Sequence, residues 1–511
     1  MNKVSIPKIT IYNLINDLIN TGKKKTVLEI GNKKITREKL YQDILNTQNY
    51  LIKLKLNEKD TVVSMLENSY EQITFFLAAL CLGINWVPLG KDRKGVGLKY
   101  VLSITKPKFI LIRKEKLNEI PREYKKKTLI IKNNLKIKKT KDFFKNIIFK
   151  GKVNTILFTS GTTGPPKGVL VGDRMLITSA LATGIASKTT NKDRFLLWES
   201  LHHIGGIEIL ILCLMKKNIL VLIKKFSAKK FWKQIIKHKI TIIHYLGGIL
   251  DILIKQPISR YDKRHKVKLA FGAGARIETY KIFEERFNIP LVEVYGMTEA
   301  SSFTTINFNK KIGSIGKVLP WFNVKLKDKK KSIGEIIIRA KEKGLLTEGY
   351  FKDKKATSEL FYKNYLCTGD LGKFDNFNNL YYVGRKKDAV RVKGENISAW
   401  EIEKTLNQNN NISESAVMAT KSKIGEDDII ALLLTKRLIN LRLIANYFFK
   451  KFSKNYQPRY WGVVKKFPRT PTFRIDKKNI KINKIKFYDF FEKKKRIFEI
   501  IIVVSISFLQ E

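Results

Sequence analysis

Cysteine is scarce in this 511-residue chain: Cys81, Cys213 and Cys367 are the only three. No two form a Cys-x-x-Cys pair, so neither a metal site nor a disulfide framework is indicated, and a cytoplasmic setting is expected. Acidic residues are also few. Asp and Glu total 45 against 100 Lys and Arg, a net charge of +55. The excess is mostly Lys, spread along the chain together with much Ile and Asn. It reads as a residue bias laid over an ordinary fold, not as one basic arm built for nucleic acid. No helix-turn-helix, zinc spacing or aromatic RNA-binding motif occurs. No apolar run reaches the roughly 20 residues of a membrane helix. The nearest, Ile500 to Leu509, follows the charged run Lys493 to Arg496 and is too short to span. Met1 to Gly22 has no basic-then-apolar signal layout. No internal repeat and no Pro/Gly-rich linker stand out.

What is present is a chain long enough for a large core, with 44% hydrophobic residues to fill it. Apolar runs such as Thr61–Met65, Lys108–Ile112, Ile219–Ile223 and Thr241–Tyr245 read as buried strands. Tyr70–Leu82 and Ala228–His238 read as helices between them. This alternation predicts an α/β fold with doubly wound parallel sheets. Across 310–384 short alternating runs, Gly334–Arg339 and Asn379–Val383 among them, predict a small antiparallel β unit, with Asp375–Asn379 as a hairpin turn. Beyond about Arg385, Ala399–Asn407 and Asn440–Phe452 read as helices and Ile429–Thr435 as a strand, a smaller α+β unit. The expected organisation is a large domain over 1–385, a small cap domain over 386–488 and a basic, apolar tail over 489–511.

The most informative segment follows the strand-like run Thr155–Phe158. It reads Thr159-Ser160-Gly161-Thr162-Thr163-Gly164-Pro165-Pro166-Lys167-Gly168. Glycines let a backbone approach a phosphate chain and aim N–H groups at it, while four hydroxyls and an ammonium add donors. It is not a Walker loop, because Lys167 stands between Pro166 and Gly168 where a helix start is disfavoured. The string resembles the phosphate loop of the acyl-adenylate-forming superfamily: acyl-CoA synthetases, luciferases and peptide-synthetase adenylation domains. Further segments resemble that superfamily in its own order. Phe271-Gly272-Ala273-Gly274-Ala275 is similar to its adenine wall. In Tyr295-Gly296-Met297-Thr298-Glu299 the resemblance implies that Tyr295 stacks on adenine, Thr298 contacts the α-phosphate and Glu299 holds Mg²⁺. One carboxylate plus substrate phosphates suffices for that ion. Thr368-Gly369-Asp370 resembles the ribose-binding motif, with Asp370 accepting from the ribose hydroxyls, and Arg385 follows to contact ribose or phosphate. Lys387 occupies the hinge position, and Lys393-Gly394 the loop that serves the thioester-forming half-reaction. Leu201-His202-His203-Ile204-Gly205-Gly206 resembles the acyl-pocket segment, with His203 near carboxylate and α-phosphate.

One position departs from the pattern. Where the superfamily has Gly-Lys in its C-terminal motif, this chain has Phe473-Arg474. Arg474 keeps the charge, though Arg and Lys differ at a close contact; Lys477 is the alternative cation. The resemblance implies an AMP-forming ligase that turns a small carboxylic acid into an acyl-adenylate with ATP and Mg²⁺, then into a thioester with coenzyme A. The crotonobetaine/carnitine-CoA ligase branch is the most similar. Loading of a carrier-protein phosphopantetheine, a catalytically impaired homologue and a basic nucleic-acid-binding protein are the alternatives. The expected partners are small molecules, not a specific nucleic acid, with weak membrane-surface contact through the basic surface and tail.

Overall fold

Most of the short strands in the first half of the chain have little or no exposed face. Thr61–Ser64 and Thr155–Phe158 are buried at every residue, the signature of strands covered on both faces. Between parallel strands run crossover helices. Thr61–Ser64 pairs with Asn85–Pro88 through the helix Tyr70–Cys81, whose start is fixed by the Ser69 hydroxyl accepting from the Gln72 amide. Arg194–Leu197 pairs with Ile219–Leu222 through Ile204–Lys216. The computed structural model describes residues 5–91, 93–133, 144–150, 154–159, 166–330, 332–386, 389–392, 395–421, 427–449, 457–470, 474–492 and 494–497.

The chain divides into two units. One holds 1–324, 337–367 and 378–380; the other holds 325–336, 368–377 and 381–511. In the first unit a six-stranded sheet has the order Thr128–Ile130, Phe109–Ile112, Thr61–Ser64, Asn85–Pro88, Thr155–Phe158, Gly168–Val171. It is parallel except for the last pair, Thr155–Phe158 with Gly168–Val171. A nine-stranded mixed sheet runs Lys317–Val318, Ser302–Ile306, Leu291–Met297, Leu269–Ala273, Ile242–Leu246, Arg194–Leu197, Ile219–Leu222, Thr26–Ile30, Lys33–Thr36. The strands Phe322–Lys330, Ile333–Ala340, Tyr365–Phe374 and Leu380–Arg385 each pass from one unit into the other along the chain. The expected turn lies between the last two, where the Asp375 carboxylate accepts from the Phe377 amide at 2.9 Å.

The second unit is built on a mixed sheet ordered Ile412–Lys421, Asp427–Thr435, Tyr460–Val463, Lys486–Asp489, Lys494–Ile497. The strand Asp427–Thr435 sorts its side chains by period two. Ile429, Ala431 and Leu433 pack with the helices Ala399–Asn407 and Leu441–Phe449. Ile430 and Leu432 face Phe467, Ile480 and Phe487 on the other side. The strand Lys494–Ile497 carries the sheet into the segment read from sequence as a tail; residues 498–511 lie outside the described ones. The architecture is α/β, with a large N-terminal part and a smaller C-terminal unit. Among the described residues no helix is long and apolar enough to cross a membrane.

Candidate active site

Parallel sheets expose their loops at the carboxyl ends of the strands, where ligands bind in open α/β folds. The loop that begins at Thr159 leaves the carboxyl end of Thr155–Phe158 and returns as Gly168–Val171. Thr159 N–H donates to the Lys167 carbonyl at 3.0 Å and closes the loop's neck. Ser160, Gly161, Thr162, Thr163 and Gly164 lie outside the described residues. Beside Gly168–Val171 runs a segment far away in sequence. Thr347 Oγ1 donates to the Leu170 carbonyl at 2.7 Å, and the Phe351 amide donates to the Gly168 carbonyl at 2.7 Å. This places the Tyr350 ring 4.9 Å from Lys167 Nζ, a cation–π arrangement. The Tyr350 hydroxyl donates to Glu299 Oε1 at 2.9 Å.

Glu299 sits in the single 3₁₀ turn Thr298–Ala300, at the carboxyl end of Leu291–Met297. It is 5% exposed, and its carbonyl accepts from the Thr347 amide at 2.9 Å. The hairpin behind it admits only glycine at one point: a Cβ on Gly296 would stand 1.6 Å from the Ser302 carbonyl oxygen. Lys167, with Thr159 bonded to its carbonyl, is thereby linked through Tyr350 to Glu299, and Thr298 lies next to it in the chain. Tyr295 and the Gly272-Ala273-Gly274 turn lie on neighbouring strand ends, held by a residue that motif reading passed over. The buried carboxylate of Glu293 accepts from the amides of Gly274 at 2.5 Å and Ala275 at 3.2 Å, and from the Tyr245 hydroxyl at 2.6 Å.

His203 caps the helix Ile204–Lys216. Its ring lies 4.0 Å from the His202 ring, centroid to centroid. Burial holds the His203 imidazole below its ordinary range; Glu199 opposes this and Arg93 adds to it. Neutral imidazole is therefore the form at neutral pH. Glu199 is a second residue that sequence reading missed. It stands 3.1 Å from His244 Nδ1. Burial works to raise its carboxyl, but the His244 contact wins and holds it below the ordinary value. One turn into the same helix, Glu208 is fully buried. Burial pushes the Glu208 carboxyl well above its ordinary range, and the Glu199 charge adds to this against the Ser302 and Thr183 hydroxyls.

The second unit brings Asp370 and Arg385 together. Arg385 Nε lies 2.8 Å from Asp370 Oδ1, and Asp370 is 4% exposed. The Thr368 hydroxyl accepts from the Asp370 amide at 3.0 Å and donates to the Ile336 carbonyl at 2.7 Å, fixing the Thr-Gly-Asp turn. The Gly369 amide donates to Glu335 Oε1 at 3.1 Å, and Lys386 Nζ lies 2.8 Å from Glu335 Oε2. Arg474 is exposed, in a turn where Thr470 and Arg474 bond each other's backbones, with Thr470 N to Arg474 O at 2.9 Å. Lys477 Nζ is paired with Glu403 Oε1 at 2.7 Å. Lys387 and Lys393 lie outside the described residues.

A family model described as AMP-binding enzyme matches residues 18–351. The chain belongs to this family. Among relatives of this AMP-binding enzyme, the 2-succinylbenzoate--CoA ligase of Oceanobacillus iheyensis is 29% identical over 349 residues, which are 66% of this chain and 71% of that protein. The ligase of the same name from Bacillus mycoides is 24% identical over 470 residues, 89% of this chain and 95% of its own. The fold matches that of ATP-bound MatB from Rhodopseudomonas palustris with a TM-score of 0.81 at 21% identity, covering 92% of this chain and 98% of that one. O-succinylbenzoate Coenzyme A Synthetase (MenE) from Bacillus subtilis, in complex with AMP, matches with a TM-score of 0.79 at 22% identity and the same coverage. These comparisons reach the family and do not single out the crotonobetaine/carnitine branch; they lend nothing to the nucleic-acid alternative.

Proposed function

We propose that this AMP-binding enzyme is an acid–thiol ligase that joins a carboxylic acid to coenzyme A through an acyl-adenylate. The observation that carries the reading is the convergence of Lys167, Tyr350 and Glu299, with Lys167 at the end of the hydroxyl- and glycine-rich segment in the chain. The relatives named as 2-succinylbenzoate--CoA ligases support the same reaction class.

In the first step a carboxylate oxygen attacks the α-phosphorus of ATP and pyrophosphate leaves. The acid arrives as an anion and needs little activation, so the protein's task is positioning and charge stabilisation. The 159–168 loop and Lys167 take phosphate oxygens, Thr298 the α-phosphate, and Tyr295 with Gly272, Ala273 and Gly274 the adenine. Asp370 and Arg385 serve the ribose, and Arg474 the charge developing during adenylation. The neutral His203 ring donates to the reacting oxygens without bringing a second positive charge. Glu299 suits Mg²⁺. It is a hard oxygen donor oriented by the Tyr350 hydroxyl, and no group of three or more His, Cys, Asp or Glu forms a self-sufficient metal site among the described residues. Bound there, the ion neutralises phosphate charge. In the second step the thiol attacks the acyl carbonyl and AMP leaves, with Lys393 serving this half-reaction after rotation about Lys387. The three free thiols agree with a cytoplasmic location.

The test is pyrophosphate release with ATP and Mg²⁺ against a panel of acids that includes 2-succinylbenzoate, crotonobetaine and a long-chain fatty acid, with and without coenzyme A. The expected result is acid-dependent release, with thioester appearing only when coenzyme A is present. No release with any acid on a broad panel overturns the reading.

A further inference from the structure

Glu293 stands on the strand Leu291–Met297, two residues before Tyr295, yet no motif includes it. Its place in the sheet explains what it does. Leu291–Met297 runs parallel to Leu269–Ala273, with Glu293 in register with Gly272. Leu269–Ala273 in turn runs parallel to Ile242–Leu246, with Gly272 in register with Tyr245. Glu293 thus reaches across the ends of two neighbouring strands at once. At the far strand a Cβ on Gly272 would lie 1.9 Å from the Tyr245 carbonyl oxygen, so the two backbones touch there. Past Gly272 the chain turns at Gly274, with φ +84°. Gly274 is exposed and Ala275 half-buried, yet their amides turn away from any ladder partner toward Glu293, and holding both on one acceptor fixes the turn. Glu293 Oε1 is their acceptor, at 2.5 and 3.2 Å, while Oε2 takes the Tyr245 hydroxyl at 2.6 Å. The carboxylate is 8% exposed, and charge-assisted bonds in such a setting are the strong ones.

We infer that Glu293 is the positioning residue of the nucleotide's base platform, clamping the 272–275 turn to the strand that presents Tyr295. The inference rests on the adenylation reading above. It goes beyond that reading by assigning the rigidity of the base site to one buried carboxylate. Glu293 fixes the separation between a wall of backbone and an aromatic ring, and a flat base is selected by that separation. With Glu293 removed, two turn amides and one phenol lose a shared acceptor, and the turn rotates to find water. Glutamine keeps both functions. Its carbonyl oxygen accepts from the turn amides, while its amide nitrogen donates to the phenol oxygen of Tyr245, which can also accept.

The experiment measures binding of AMP and of ATP with Mg²⁺ to the full chain by titration calorimetry, beside steady-state pyrophosphate release. Glu293→Ala is expected to weaken AMP binding and raise the KM for ATP by about tenfold or more. It should narrow the preference for ATP over GTP and leave the KM for the acid within about twofold. Glu293→Gln is expected to restore both nucleotide values. A merely structural role would lower the melting temperature without moving nucleotide and acid constants apart. Tight AMP binding and an unchanged ATP-to-GTP preference in a folded Glu293→Ala variant overturn the inference. Absence of nucleotide binding by the wild-type chain overturns the adenylation reading instead. If Glu293→Ala does not fold, Glu293→Gln paired with Tyr245→Phe carries the test, since each is expected to keep the turn amides bonded and nucleotide affinity within about threefold of wild type. A tenfold loss in either contradicts the clamp.

Discussion

The Tyr350 hydroxyl donates to Glu299 Oε1 at 2.9 Å, although the two residues are 51 positions apart in the chain. The same ring carries Lys167 on its face. Tyr350 therefore orients the carboxylate assigned to Mg²⁺ and holds the phosphate-loop lysine in one place. Tyr350→Phe keeps the ring and removes only the hydroxyl. The expected outcome is a rise of about tenfold in the Mg²⁺ concentration that half-saturates pyrophosphate release, the range found when an outer partner of a metal ligand is lost. Lys167 should be undisturbed, so the KM for ATP at saturating Mg²⁺ stays within a few-fold. Magnesium titrations of both proteins check this.

Glu299→Gln removes the charge from the ligand itself. Adenylation is expected to fall by about 10²–10³-fold, as when a preorganised electrostatic contact to a transition state is deleted. Lys393→Ala should behave differently, because its loop is assigned to the second half-reaction. Acid-dependent ATP–pyrophosphate exchange stays near the wild-type rate, and thioester formation slows. Equal loss in both half-reactions for Lys393→Ala contradicts the assignment.

Much of this site is legible in the sequence because its motifs are local. Thr159–Gly168, Tyr295–Glu299 and Thr368–Asp370 each gather their proposed contacts in a few consecutive residues, the first after the strand Thr155–Phe158, the second at the end of Leu291–Met297 and the third within Tyr365–Phe374. The continuous apolar run Ile429–Thr435 likewise marks a strand buried on two faces. What is not legible depends on pairing between distant segments. Thr347 meets Leu170 across 177 positions, and no spacing rule announces it. Glu293 and Glu199 read as unremarkable acids until neighbouring strands bring Gly274 and His244 to them. The strand Lys494–Ile497 was hidden for another reason. Its Lys-Lys-Arg run reads as a solvated tail, yet it is the last strand of its sheet, and edge strands use lysine to discourage further pairing.

Glu208 makes the fold's stability depend on pH. Its folded carboxyl lies well above the ordinary value of 4.5 because of burial first and the Glu199 charge second. Below pH 4.5 folded and unfolded chains both carry the proton, and the group is neutral in the balance. As pH rises from there the unfolded chain releases its proton while the folded chain keeps it, so stability is lost until the folded group also ionises. The slope is about 1.4 kcal/mol per pH unit for one group. Glu208→Gln removes this dependence and keeps the shape. The variant should gain stability relative to wild type between pH 5 and pH 8, measured by denaturant unfolding at each pH. A difference that stays constant with pH rejects the assignment.

Two cations compete for the role that the superfamily gives to a lysine, and the structure separates them. Lys477 Nζ is 2.7 Å from Glu403 Oε1, and the same Glu403 oxygen takes the Val417 amide at 2.7 Å, so Lys477 is engaged in joining its turn to the helix Ala399–Asn407. Arg474 is exposed, and its backbone is pinned by Thr470. Of the two, Arg474 is the group whose charge is presented outward. Arg474→Ala is expected to slow adenylation by about 10–10²-fold, given that one charged contact to a developing anion is worth a few kcal/mol. Arg474→Lys restores most of the rate if position matters less than charge. Lys477→Ala should leave pyrophosphate release within about twofold and cost less than about 1 kcal/mol of stability, the ordinary worth of a partly exposed ion pair. Single-turnover adenylation with the three variants decides the matter. A slow Lys477→Ala beside a fast Arg474→Ala would mean that the Glu403 pair opens during catalysis and that Lys477, not Arg474, carries the charge to the α-phosphate.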